Sequence, residues 1–176
     1  MAINLPAYQE ILSRLSAYHA ELVAVSKTKP VTDIEALYAA GQRIFGENYV
    51  QELTGKQAAL PSDIEWHFIG HLQTNKVKHI APFVHTIHAV DSLKLLQEIN
   101  KQAARYQRVI HCLLQVHIAA EETKFGMDEQ ELRNLLDEYA ANPAGFSQVR
   151  IAGLMGDRKR VVEGKGVDVG GRRVIK

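Results

Sequence analysis

The chain has 176 residues, 46% hydrophobic and 23% charged, with five Pro and a single Cys. That composition suits one soluble globular unit and excludes a collagen-like fibre, a disordered chain or a disulfide framework. Lys and Arg number 21 against 20 Asp and Glu, so net charge gives no reason to expect nucleic acid or a membrane as partner. No apolar run approaches the roughly 18 residues of a membrane helix, and the start MAINLPAYQE lacks the basic-then-apolar layout of a secretory signal. A cytoplasmic protein is expected.

In chain order, Leu5, Tyr8, Ile11, Leu12 and Leu15 line one face of a helix over about Leu5 to His19. Leu22 to Lys27 reads as an apolar strand. Thr32 and Glu35 have capping-box spacing and start a helix that stops at Gly41. A second strand lies within Gln42 to Asn48, followed by a helix from about Tyr49 to Leu60 and a third strand over Glu65 to Ile69. Thr74 to Ala81 forms a short helix closed by Pro82. Strand four is Val84 to Val90, and Asp91 or Ser92 caps the helix that runs to about Tyr106. Strand five is Val109 to Ile118, Asp128 with Glu131 caps a helix to about Ala141, and strand six is Val149 to Met155.

Six strands alternating with helices imply parallel pairing, because each return crossing needs a helix. The class is α/β, and pattern alone leaves a doubly wound sheet and a (β/α) barrel open. In either, ligands bind beyond the carboxyl ends of the strands. The polar residues there are Lys27, Glu47, Asn48, His67 with His71, Asp91 and His117, with Met155 last. Lys27 shares a strand side with Val23 and Val25. If that side is solvated, Lys27 is a surface charge. If it faces a barrel interior, desolvation leaves a free amine able to attack a carbonyl.

The other polar groups carry plainer readings. Gly70 separates His67 from His71 on a stretch that is not helical, so no metal site is assigned. His85 and His88 point to opposite faces of a strand and do not chelate together. Trp66 is a packing residue, Glu121, Glu122 and Lys124 form a charged loop, and Gly164 to Gly166 lacks the spacing of a P-loop.

The blocks LVAVSKTKP (Leu22 to Pro30), FGENYVQE (Phe45 to Glu52), WHFIGHLQTNK (Trp66 to Lys76), HTIHAVDS (His85 to Ser92), TKFGM (Thr123 to Met127) and IAGLM (Ile151 to Met155) occur in an order that resembles the pyridoxal-phosphate homeostasis protein family. That family is similar to the N-terminal barrel of alanine racemase without its second domain. The resemblance implies a (β/α)8 TIM barrel, of which about six of eight strands are present, binding pyridoxal 5'-phosphate (PLP) as an internal aldimine on Lys27. It further implies Asn48 and Met155 as pocket residues, Lys124 as a secondary lysine, a monomer, and PLP-dependent apo-enzymes as possible recipients. The function implied is intracellular vitamin B6 homeostasis without substrate turnover; a racemase-like enzyme or Schiff-base lyase is the alternative.

Composition breaks at Gly156. From Asp157 to Lys176 there are seven basic and three acidic residues, four Gly and no Leu or aromatic, where family members continue with two further strands and a phosphate cradle. The stretch looks like translated adapter read-through. The expectation is a partial barrel domain over 1–156 and a non-native tail over 157–176, with weakened retention of the cofactor.

Overall fold

A computed structural model describes residues 3–117, 126–157 and 172–175. Helix α1 (Leu5–Ser16) starts where the Asn4 side chain accepts from the Ala7 amide, with Pro in the first turn. Its apolar face is buried only at Tyr8, whose hydroxyl donates to Gln42 Oε1 at 3.1 Å, while Leu5 and Ile11 stay exposed. Strand β1 is reduced to Ala24–Val25. Helix α2 (Val31–Ala39) begins after Pro30, which stands at the cap without a side-chain hydrogen bond. The expected Thr32–Glu35 capping box is therefore absent: Pro30, with φ −66° and ψ 158°, already turns the chain into the helix two residues before Thr32.

Strand β2 (Ile44–Glu47) leads to α3 (Val50–Ala59), then β3 (Glu65–Phe68). A 3-10 turn at Thr74–Lys76 runs into the single-turn α4 (Val77–Ile80), and β4 (Thr86–Val90) follows. Ser92, not Asp91, caps α5 (Leu93–Arg105) by accepting from the Leu95 amide. Strand β5 (Ile110–Val116) precedes α6 (Glu129–Ala141), which opens on a complete capping box between Asp128 and Glu131. Strand β6 (Val149–Asp157) closes the parallel part of the sheet, and β7 (Arg172–Ile175), unforeseen in the tail, pairs antiparallel with it.

The sheet order is β1-β2-β3-β4-β5-β6-β7, with every neighbour parallel through β6. That order separates the two topologies left open by the pattern. A doubly wound sheet reverses its strand order at a switch point, whereas a barrel adds each β/α unit beside the last. Here no reversal occurs among β1 to β6, and the arrangement is that of an incomplete α/β barrel.

The main core lies between the sheet and its helices, where Phe45, Trp66, Phe68, Ile87, Cys112 and Leu114 meet Ile34, Leu53, Leu95, Ile99 and Leu135. Trp66 is 2% exposed and packs on Phe45 at 6.1 Å between ring centroids, the packing role expected of it. Burial pushes the Cys112 thiol pKa up, so this residue is an inert core group. A second, smaller cluster of Ala89, Leu113 and Met155 is separate from the first. Since Cys112 and Leu114 belong to the helix-side core, Leu113 between them points to the other side of the sheet. No helix among the described residues is long and apolar enough to cross a membrane.

Candidate functional site

Strand β1 ends at Val25, which pairs with Gly46. Lys27 and Asn48 each lie two residues beyond that pair, side by side at the carboxyl ends of neighbouring strands. Lys27 sits in the turn after β1 and is exposed, and the next residue, Thr28, has φ +61°. The sheltered amine foreseen for the barrel case is not found in the described residues. The physical reason is the position of β1 at the sheet edge: Val25, on the same strand side as Lys27, is itself 53% exposed.

What lies beneath Lys27 is a buried charged network. Lys56 Nζ, from α3, donates to Glu47 Oε1 at 2.7 Å, to the Ser26 carbonyl at 2.7 Å and to Glu52 Oε1 at 2.6 Å. Ser26 Oγ donates to Glu47 Oε1 at 2.6 Å, and the Thr28 amide donates to Glu52 Oε1 at 2.6 Å. Glu47 is fully buried and Lys56 nearly so. The residues immediately before and after Lys27 are thus both tied, directly or through Lys56, to the same two carboxylates. Charge-assisted bonds of this kind are roughly twice as strong as neutral ones, so the turn is held while the Lys27 side chain projects from it. Sequence reading found Glu47 as a strand-end residue but missed Lys56; the available signal was the Glu52–Lys56 spacing of four, which places both on one helix face.

Two buried acceptors have no hydrogen-bond partner among the described residues, Glu47 Oε2 and Asn48 Oδ1. Such atoms are uncommon and point to an unfilled polar contact. Asn48 is also packed from behind: a Cβ on Gly70 would overlap the Asn48 carbonyl oxygen and stand 2.9 Å from its Cα. Gly70→Ala must therefore push β2's end away from the β3 loop. It is expected to destabilise the chain by about 1 to 3 kcal/mol, measured by urea unfolding, and an unchanged midpoint would contradict the packing described. Met155 is 1% exposed in the Ala89–Leu113 cluster, an apolar wall on the side of the sheet away from the main core.

His67 and His71 go separate ways. His71 Nδ1 lies 3.3 Å from Asp91 Oδ2, whereas His67 Nδ1 lies 2.9 Å from His88 Nε2. The His67 pKa is pushed down to about 3, by burial first and then by His88, His85 and His111. The His111 pKa is lowered too, by burial first and then His85 and Arg150, with Glu65 opposing. His85 and His88 were expected on opposite faces, yet both contact His67. His85 immediately precedes the first residue of β4, so strand alternation does not govern its direction. His117 is exposed just past β5. The loop holding Glu121, Glu122 and Lys124, and the Gly164 to Gly166 stretch, lie outside the described residues.

A parallel sheet of consecutive β/α units, with Lys27 exposed in the turn after its first strand, defines an incomplete α/β barrel. The family profile described as "Alanine racemase, N-terminal domain" matches residues 3–156, and the chain belongs to that family. Among curated relatives, the "Pyridoxal phosphate homeostasis protein" of Aquifex aeolicus is 41% identical over 137 residues, covering 77% of this chain and 58% of the relative. The protein of the same description from Escherichia coli K12 is 41% identical over 138 residues, covering 76% and 57%. The chain thus spans less than two thirds of the length of these relatives. PipY of Synechococcus elongatus PCC7942, solved without PLP, superposes with a TM-score of 0.77 at 36% identity, covering 88% of this chain and 72% of that one; its PLP-bound structure gives 0.71 at the same identity, covering 85% and 71%. Alanine racemase from Streptomyces coelicolor, with a TM-score of 0.61 and 18% identity over 77% of this chain and 37% of that one, shares the fold.

Proposed function

We propose that this chain binds pyridoxal 5'-phosphate through Lys27, with Asn48 and Met155 as pocket residues, and serves intracellular vitamin B6 homeostasis as a carrier. The observation that carries the reading is an exposed lysine on a turn anchored by a buried charged network, beside a buried acceptor at the end of the next strand that has no hydrogen-bond partner among the described residues. The chain's similarity to proteins described by pyridoxal phosphate homeostasis, and to a PLP-bound neighbour, supports it.

The described residues supply an amine, a hydrogen-bond acceptor and an apolar wall for such a group. When bound, pyridoxal phosphate supplies an aldehyde that condenses with primary amines. Lys27 offers the amine. The Lys56–Glu47–Glu52 network orients the turn that carries it. Asn48 Oδ1 is available to accept a hydrogen bond, and Met155 with Leu113 and Ala89 keeps water from one wall. The recipients in this reading are PLP-dependent apo-enzymes, the compartment is the cytoplasm and the protein acts as a monomer. The family match ends at residue 156, where composition changes, which supports a domain over 1–156 and a tail of separate origin over 157–176.

The test is to incubate the purified chain with pyridoxal phosphate, reduce with borohydride and map the peptides. The label is expected on Lys27 and is expected to vanish in Lys27→Ala. A label on other lysines alone, or none, overturns the assignment. Racemisation of amino acids by the loaded protein above background would replace the carrier reading with an enzymatic one.

A further inference from the structure

A set of histidines converges across β3, β4 and β5, with Glu65, His85 and His111 at the strand starts and His67 further along β3, in the register layer of Val25. Glu65 is the first residue of β3, His85 immediately precedes β4, and His111 is the second residue of β5. The rings of His67 and His85 lie 5.6 Å apart and nearly parallel, and those of His85 and His111 are 4.9 Å apart. His85 Nε2 is 3.7 Å from Glu65 Oε2. One ligand atom from each of Glu65, His67 and His85 falls within 4.8 Å of the other two.

We infer that Glu65, His67 and His85 form a binding site for a divalent transition-metal ion of the zinc class. Two imidazoles and a carboxylate are a donor set that suits zinc, with the fourth position left to water. Ligand atoms about 3.3 Å apart are needed around a tetrahedral zinc at about 2.0 Å, so the side chains must draw in from their 4.8 Å limit. Glu65 and His85 are partly exposed, at 48% and 39% of their side chains, and have room to do so.

Metal-binding histidines are usually fixed through their second nitrogen. Both rings have such a tether: His85 Nδ1 is 2.9 Å from Thr86 Oγ1, and His67 Nδ1 is 2.9 Å from His88 Nε2. Each arrangement leaves Nε2 for the ion. The exposed sides of Glu65 and His85 provide the entry path. A bound ion would tie the start of β3 to the segment entering β4, independently of the Lys27 site.

The experiment uses the full chain, stripped with chelator and titrated with cobalt(II), whose visible absorption reports its coordination. Uptake of one equivalent is expected, with bands of a four- or five-coordinate ion that zinc(II) abolishes. Emission of Trp66, the chain's only tryptophan, is expected to be quenched in step, since it neighbours two of the ligands. His85→Ala and Glu65→Gln are expected to weaken binding by about tenfold or more, while His79→Ala, an exposed position on α4, leaves it unchanged. Retained Trp66 emission in the metal-free variants shows that they are folded. Absence of one-equivalent uptake by the parent chain, an octahedral hexaaqua-like spectrum, or equal affinity in the folded His85→Ala and Glu65→Gln variants overturns the site.

Discussion

Replacing Lys56 with Ala is expected to lower the stability of the chain by about 3 to 5 kcal/mol, the cost of removing one partner of a buried ion pair. Glu47 is fully buried, and its Oε1 accepts from Lys56 and Ser26 while its Oε2 has no partner among the described residues. Without Lys56, the carboxylate keeps one hydroxyl donor in a site closed to water. The Ser26 carbonyl loses a donor at the same time. Urea unfolding followed by circular dichroism measures the loss.

A second variant separates charge from packing. Lys56→Met with Glu47→Gln removes both charges at similar volume and is expected to recover at least half of the loss. A double variant as unstable as Lys56→Ala would mean that the ion pair is not the source of the effect. Because Lys56 and Thr28 share Glu52, the single variant should also slow borohydride-trapped labelling of Lys27 in its folded fraction.

Trp66→Ala is expected to cost a similar amount, about 3 to 5 kcal/mol, by a different route: lost burial and a cavity in the main core. Trp66 and Phe45 are paired across the β2–β3 register and both are almost wholly enclosed. Trp66 is absent from the network under Lys27, so labelling of Lys27 in the folded fraction should match the parent. A destabilisation under about 1 kcal/mol would show that the layer between sheet and helices is not packed as described. The two variants together distinguish residues that hold the fold from residues that also hold the site.

Element types were legible because local chemistry dictates them. The Asp128–Glu131 box appears in the structure with both reciprocal bonds, and Ser92 caps α5. Thr32 and Glu35 had the same spacing and failed, since Pro30 pre-empts the cap. The order of strands was not legible, because periodicity says what each segment is and not which neighbour it joins. Lys27 and Asn48 could be located at strand ends, but the pattern assigns Lys27 a side without saying what covers it. Lys56 was hidden by the general rule that lysines are exposed; its burial follows from pairing with Glu47, nine residues earlier on β2, which the Glu52–Lys56 spacing alone does not announce. His85 and His88 were separated by a strand alternation that does not apply to His85, which lies just before β4.

The shared acceptor at Glu52 has a dynamic meaning. A single oxygen on α3 accepts one hydrogen bond from the turn after β1 and another from Lys56 of its own helix, so the turn and the helix are mechanically geared. Whatever drew that carboxylate outward would slacken the loop bearing Lys27 without unpacking a helix. Under the proposed carrier reading, hold and release of a small aldehyde would then be throttled from a residue that never meets it.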